Sequence, residues 1–294
     1  MIVLGADVGG TSTRVVLFKD DSERGRAEAP GSPMRSGEGG RLAAAVVDLA
    51  RPLLLRGKTV RADALVVGAS GAGREVERDE LLAALQKQRL AWRVVVTTDA
   101  ELARAAAFEG GPGVLLIAGT GSIAVARDAN GASRRVGGLG WRMGDQGSAY
   151  WIAMRALEAV GAMHDGLGTV THLAEALCTA ARVPGMAGLI QWSATATPSE
   201  VAALGPAVLA CAASGDPVAG GVRDAAVNAL VELAVAAGAG RLPVAMSGGL
   251  LAPDRPLRDR VAAALEQAHG ATIVRRAIDP CRGAPFLAKE AIER

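Results

Sequence analysis

VLGADVGGTSTRVVLF, residues Val3 to Phe18, is the stretch that decides the fold. Two apolar, β-rich runs are joined by Gly9, Gly10 and Thr11, and the first run carries Asp7 in its middle. A carboxylate in a buried run is costly unless something pairs with it, so Asp7 is read as kept for a ligand. Gly5 to Thr11 has the glycine spacing of a Walker loop, but Thr11 stands where lysine belongs and a strand rather than a helix follows. A P-loop is thereby excluded.

The same grammar returns at Ile117 to Gly131, IAGTGSIAVARDANG: strand, Gly/Thr turn, hydroxyl residue, strand, acidic turn. Gly119 to Ala124 also matches the dinucleotide pattern G-x-G-x-x-A. That pattern needs a helix next, whereas VARDANGASRRV reads as an alternating strand with an Asn130-Gly131 hairpin turn, so the dinucleotide reading fails. The two stretches point to an internal duplication with one phosphate hairpin per domain. Tight glycine turns present backbone N–H groups to phosphate oxygens, and Thr11, Thr120 and Ser122 add hydroxyl donors. Asp7 then has a partner, a hydrated Mg²⁺ on the polyphosphate, an ion that prefers oxygen ligands.

At 294 residues the chain has the length of about two domains. Phe108 to Val114, FEGGPGV, is the clearest linker, which gives domains 1–110 and 111–294. Strands are predicted near Ile2–Val8, Thr13–Phe18, Ala64–Ala69, Arg93–Thr97, Val114–Ala118, Ile123–Arg127, Val244–Ser247 and Thr272–Arg275. Helices are predicted at Gly40–Leu55, Glu77–Gln88, Ala100–Phe108, Ser148–Val160, Thr169–Ala181, Asp216–Ala236 and Leu257–Ala268. The alternation describes an α/β chain with mixed sheets.

Composition narrows the partners. Hydrophobic residues make up 50% of the chain and charged residues 21%, with no apolar run of the ~18 residues a membrane span needs. A strand that starts at Ile2 leaves no room for a signal peptide, so a cytoplasmic protein is expected. Net charge is +2 with the arginines scattered, which speaks against nucleic acid as a partner. Cys178, Cys211 and Cys281 are far apart and form no Cys-x-x-Cys pair; they read as reduced thiols rather than ligands of zinc or an iron–sulfur cluster. His164, His172 and His269 stand singly and read as structural.

Five segments occur in a recognisable order: GADVGGTSTRVVLF, VTTDAELA, LLIAGTGSIAVARD, GGLGWRMGDQGSAYWIA and AMSGGLL. Together they resemble the superfamily of sugar kinases, heat-shock proteins and actin, and more closely its N-acetylglucosamine kinase and BadF/BadG/BcrA/BcrD ATPase-like branch. The resemblance runs over nearly the whole chain and is most specific at Gly137 to Ala153. It implies two ribonuclease-H-like domains around a cleft, with ATP and Mg²⁺ bound there and a hexosamine held mainly by the N-terminal side. It also implies a last helix that packs back on the N-terminal domain, and a homodimer.

In such proteins the Asp that ends a buried strand and opens a helix is the catalytic base, here Asp99. The physical reading agrees, since α/β sites form at the carboxyl ends of strands; the bland alternative is a helix cap. By resemblance Asp145 contacts sugar hydroxyls, Gly138 lines the sugar pocket and Trp141 faces the ring, while a core role for Trp141 is the competing reading. Gly248 and Gly249 lie by the adenosine, and Gly9, Gly10, Gly119 and Gly121 hold phosphates. Two departures bear on substrate choice. Gln146 stands where many relatives have Glu, and the Ala29 to Gly37 loop offers Met34, Arg35 and Ser36 where relatives often place Asn.

The expected function is ATP-dependent phosphorylation of an amino sugar, N-acetylglucosamine or glucosamine, at its C6 hydroxyl. An ATPase activator of a reductase or dehydratase system would need clustered cysteines. A non-catalytic sugar sensor is the other alternative.

Overall fold

The computed structural model describes residues 1–10, 12–31, 34 and 36–293, so Thr11 and Arg35 lie outside the described residues. The chain divides into two compact units, Met1–Gly113 with Ile278–Arg294, and Val114–Ala277. This differs from a division into 1–110 and 111–294, because the C-terminal segment belongs with the first unit.

The first unit opens with β1 (Ile2–Val8), β2 (Ser12–Lys19) and β3 (Ser22–Pro30), and continues through α1 (Gly39–Arg56), β4 (Ala62–Ala69), α2 (Glu75–Lys87), β5 (Ala91–Thr98) and α3 (Asp99–Phe108). Its sheet has the order β3-β2-β1-β4-β5. β2 runs antiparallel to both β1 and β3, whereas β1, β4 and β5 are mutually parallel. β1 lies at the centre and is apolar on both faces, as a strand covered on both sides must be. Leu4, Ala6 and Val8 pack with Leu42, Val46 and Leu53 of α1. Val3 packs on the opposite face with Leu102 of α3. Side chains alternate along a strand, so Asp7 shares the face of Val3 and Gly5, the α3 side. β3 was not among the predicted strands: its sequence SERGRAEAP is charged, and its burial alternates between exposed and half-buried, the signature of an edge strand rather than a core one.

The second unit contains β6 (Gly113–Ala118), β7 (Ser122–Arg127) and β8 (Ser133–Gly137), then α4 (Ala149–His164), α5 (Leu173–Ala181), α6 (Gly185–Thr195), α7 (Pro198–Ala202), α8 (Gly205–Ala213), α9 (Pro217–Ala237), β9 (Val244–Ser247), α10 (Pro256–His269) and β10 (Ile273–Val274). Its sheet order, β10-β9-β6-β7-β8, repeats that of the first unit: three consecutive strands on one side and two parallel strands, β9 and β10, on the other. The repetition matches the duplication seen in the two glycine hairpins. Short helices α6 to α8 fill a stretch that periodicity left blank, since runs of 5 to 11 residues rich in Ala, Gly and Pro carry little helical signal.

The chain then returns to the first unit through a 3-10 turn, Pro280–Gly283, and α11 (Ala284–Glu293). Two glycines make this packing possible. A Cβ on Gly5 would lie 2.6 Å from the Cβ of Ala284, and one on Gly283 would lie 2.1 Å from the carbonyl oxygen of Leu102. Among the described residues no single helix is long and apolar enough to cross a membrane.

Candidate functional site

In the first unit the parallel strands end level with one another. Asp7 of β1 stands in register with Gly68 of β4, and Gly68 with Thr97 of β5. Two strand spacings of about 4.8 Å therefore separate the Asp7 and Thr97 backbones by about 10 Å. Asp99 follows two residues later. Gly68 has no Cβ because one would sit 2.6 Å from the Leu102 Cβ, and this close approach seats α3 on the sheet. The cap of α3 is Thr98, whose Oγ1 accepts from the Glu101 N–H at 3.1 Å. Asp99 is thus the first helical residue, not the cap, and its Oδ1 accepts from the Ala100 N–H at 2.8 Å. A carboxylate in this first turn is favoured by the helix dipole.

Asp7 is electrostatically strained. Its carboxyl is pushed up from the usual 3.8 to about 6, chiefly by burial and next by the charge of Asp99, with Asp279 and Glu28 acting in the same direction. Arg14, opposite Asp7 in the hairpin register, pulls the other way, but its Nε pairs with Glu28 on β3 at 3.0 Å. A half-buried carboxylate with so little cationic compensation suits a divalent cation. Among the described residues no group of three or more His, Cys, Asp or Glu side chains is placed to cage a metal. Mg²⁺ asks for less: it keeps several waters and is held by one or two carboxylates together with substrate phosphates. Asp7 fits that requirement.

The first hairpin is closed by its own backbone, with the Gly9 N–H donating to the Ser12 carbonyl at 2.9 Å. The Gly9 donor is therefore taken up by the turn, and Gly10 is the exposed residue beside it.

The second hairpin sits where β6 meets α4. The Ala149 N–H donates to the Gly119 carbonyl at 2.9 Å and the Gly119 N–H to the Gly121 carbonyl at 2.9 Å. Thr120 is exposed, whereas Ser122 is 2% exposed and its hydroxyl donates to the Gln146 carbonyl at 2.7 Å. Ser122 thus corrects its expected role: the hydroxyl braces the loop instead of reaching outward to a phosphate. Asp145 is also turned inward. It is 9% exposed, holds a left-handed backbone at φ 61°, and accepts from the Ser122 N–H at 3.1 Å. A Cβ on Gly121 would lie 2.9 Å from each carboxylate oxygen, so Asp145 buttresses the hairpin directly.

β9 runs parallel to β6, and its turn meets the hairpin. The Leu250 N–H donates to the Ala118 carbonyl at 3.1 Å, and a Cβ on Gly248 would lie 2.3 Å from that same oxygen. A Cβ on Gly119 would reach Gly249 N at 3.9 Å. The structure thereby gathers Gly119, Gly121, Gly248 and Gly249 at the carboxyl ends of two neighbouring parallel strands, the place where open α/β sheets bind ligands. Gly138 has φ 64° and its carbonyl accepts from Arg135. Trp141 is 42% exposed, tilted against Tyr150 at 5.5 Å and covered by the Arg142 guanidinium, so the core reading for it falls away. Three residues were missed by sequence reasoning. Thr98 and Ser148 were legible in principle as hydroxyl residues just before helices, and Ser148 does cap α4 by accepting from the Trp151 N–H. Arg258 gave no signal at all.

Two units of one sheet order, each with a glycine hairpin at its sheet's carboxyl edge, make a duplicated α/β fold with ligand-binding turns in both halves. The chain belongs to the BadF/BadG/BcrA/BcrD ATPase family, whose model matches residues 4–288. An N-acetyl-D-glucosamine kinase of Dictyostelium discoideum is 29% identical over 313 residues, 98% of this chain and 97% of that protein. An N-acetylmuramic acid/N-acetylglucosamine kinase of Clostridium acetobutylicum is 34% identical over 110 residues, a match that spans 37% of this chain and 36% of the relative. A solved structure from Chromobacterium violaceum, provisionally assigned as an N-acetylglucosamine kinase, is 27% identical, covers 98% of both chains and superposes with a TM-score of 0.79.

Proposed function

We propose that this chain is an ATP-dependent kinase of an amino sugar, N-acetylglucosamine or glucosamine, that phosphorylates the C6 hydroxyl. The observation that supports it most is the placement of Asp99 as the first residue of α3, beyond a separate Thr98 cap, at the end of a strand parallel to the one that carries Asp7. Asp99 accepts the proton of the attacking hydroxyl. The resulting alkoxide character develops next to the phosphoryl group, where positioning and charge stabilisation do most of the catalytic work. Asp7 would hold Mg²⁺, which would supply charge neutralisation on the phosphates when bound. Gly10 and Thr120, each exposed on its own hairpin, are assigned to phosphate oxygens, Thr11 keeps the hydroxyl-donor role its sequence position suggests, Gly9 shapes its turn, and Gly119, Gly121, Gly248 and Gly249 would allow the nucleotide to approach the backbone. Oδ2 of Asp145 is assigned to a sugar hydroxyl, Oδ1 being held by Ser122, with Gly138 and the Trp141 face completing the sugar side. A homodimer and a cytoplasmic location belong to the same reading.

The test is ADP release against a panel of hexoses, hexosamines and N-acylated hexosamines, with the phosphorylated carbon of the product assigned by NMR. Amino sugars should be turned over best, with phosphate on C6. Sugar binding without ADP release would replace the kinase by a sugar sensor. ADP release that no sugar stimulates would remove the sugar from the proposal.

A further inference from the structure

We infer that Arg258 is a positioning residue for the nucleotide, acting through the Ser247–Leu250 turn. The inference rests on the kinase reading above, in which Gly248 and Gly249 lie by the adenosine. Arg258, on the first turn of α10, is 5% exposed. Its Nη1 donates to the carbonyls of Met246 at 3.0 Å and Leu251 at 2.8 Å, and its Nη2 to the carbonyl of Val274 at 3.3 Å. Met246 and Leu251 flank the turn, so one planar group clamps both of its feet while tying them to β10.

A guanidinium is suited to this. It presents five N–H donors in a rigid fork, whereas a lysine ammonium is a point charge on a flexible stem. Leu251 is fully buried, so its carbonyl would be left without a partner in a dry environment if the fork were removed. The clamp reaches the other half of the site, because the Leu250 N–H donates to the Ala118 carbonyl that opens the Gly119–Gly121 hairpin, and Gly248 lies so close to that carbonyl that a Cβ there would clash with it.

The charge itself has a second consequence. The hydrogen bonds of Arg258 all end on carbonyls, and Asp259 is the carboxylate whose field favours its charged form, while Arg275 opposes it. Burial lowers its proton affinity from the ordinary value, yet an arginine stays protonated in a protein. A fixed positive charge beneath a glycine turn holds the turn's carbonyls in one arrangement before the nucleotide arrives.

The experiment uses the full-length chain, unmutated and with Arg258→Met and Arg258→Lys. It measures binding of a nonhydrolysable ATP analogue with Mg²⁺ by calorimetry, sugar binding by the same method, and amide hydrogen exchange at Gly248 to Leu251. Arg258→Met should weaken the analogue by about tenfold or more, the range usual for coupling between a binding site and a group that does not touch the ligand. It should accelerate exchange in the turn and leave sugar affinity within about twofold. Arg258→Lys, which keeps the charge and loses the fork, should fall between the two and carries the test if the Met variant does not fold. Unchanged analogue affinity, or equal losses for sugar and nucleotide, would overturn the inference. An unmutated chain that binds no nucleotide overturns the parent reading, and the control identifies that outcome separately from failure of the clamp.

Discussion

Asp7→Asn should make the protein more stable while it removes activity. The Asp7 carboxyl titrates at about 6 in the folded chain instead of 3.8, principally because it is buried and secondarily because Asp99 is near. An upward displacement of roughly two units corresponds to about 3 kcal/mol at 1.36 kcal/mol per unit. Asp7 is only half-buried, so the measurable part is about 1 to 3 kcal/mol. The sign follows from proton linkage. Between pH 3.8 and about 6 the folded chain holds a proton that the unfolded chain has released, so stability falls as pH rises through this window. Below it the protonated acid costs nothing; above it the charged form bears the full penalty. Asparagine has the same shape and no charge. Urea denaturation of both proteins without Mg²⁺ or nucleotide, from pH 4 to 8, should therefore show near-equal stability at the acid end and a gap in favour of Asp7→Asn that opens up to about pH 6 and is flat beyond. Turnover should fall sharply, with a raised Mg²⁺ requirement in whatever activity remains. A variant less stable than the parent at pH 7.5, or a gap independent of pH, would refute the assignment of strain to Asp7.

Asp99→Asn should lower kcat by about 10²- to 10⁴-fold and leave sugar KM within a few-fold, the signature of a base that acts only in the transition state; near-normal kcat in steady-state assays would send the search for the base elsewhere. Thr98→Val removes the cap of α3 and should cost about 1 kcal/mol in denaturant unfolding, with a smaller loss of kcat than the Asp99 variant. Gly248→Ala forces a methyl against the Ala118 carbonyl at a backbone φ of 93°, so ATP KM should rise far more than sugar KM, and equal effects on both would contradict the placement of that turn.

The features legible in the linear chain were those written locally. A buried run with one aspartate, a glycine turn and a returning strand identify each hairpin, because strand periodicity and tight-turn chemistry involve only neighbouring residues. Asp99 was legible for the same reason: a β-branched run, then a helix start. The tertiary structure alone decided how those groups are used. Nothing near Ser122 in sequence says that its hydroxyl will turn inward to Gln146, or that Asp145 will hold the Ser122 N–H; both follow from packing a loop 23 residues away against the hairpin. β3 was hidden because an edge strand needs little apolar content. The return of α11 to β1 was suggested by family likeness, and its physical basis, a glycine at position 5 facing Ala284, became visible only when the two segments met. Arg258 shows the limit most clearly. An arginine on a helix reads as a solvated charge until the fold surrounds it with three carbonyls from separate segments, and hydrogen-bond demand in a buried place is a property of the folded neighbourhood, absent from any local pattern.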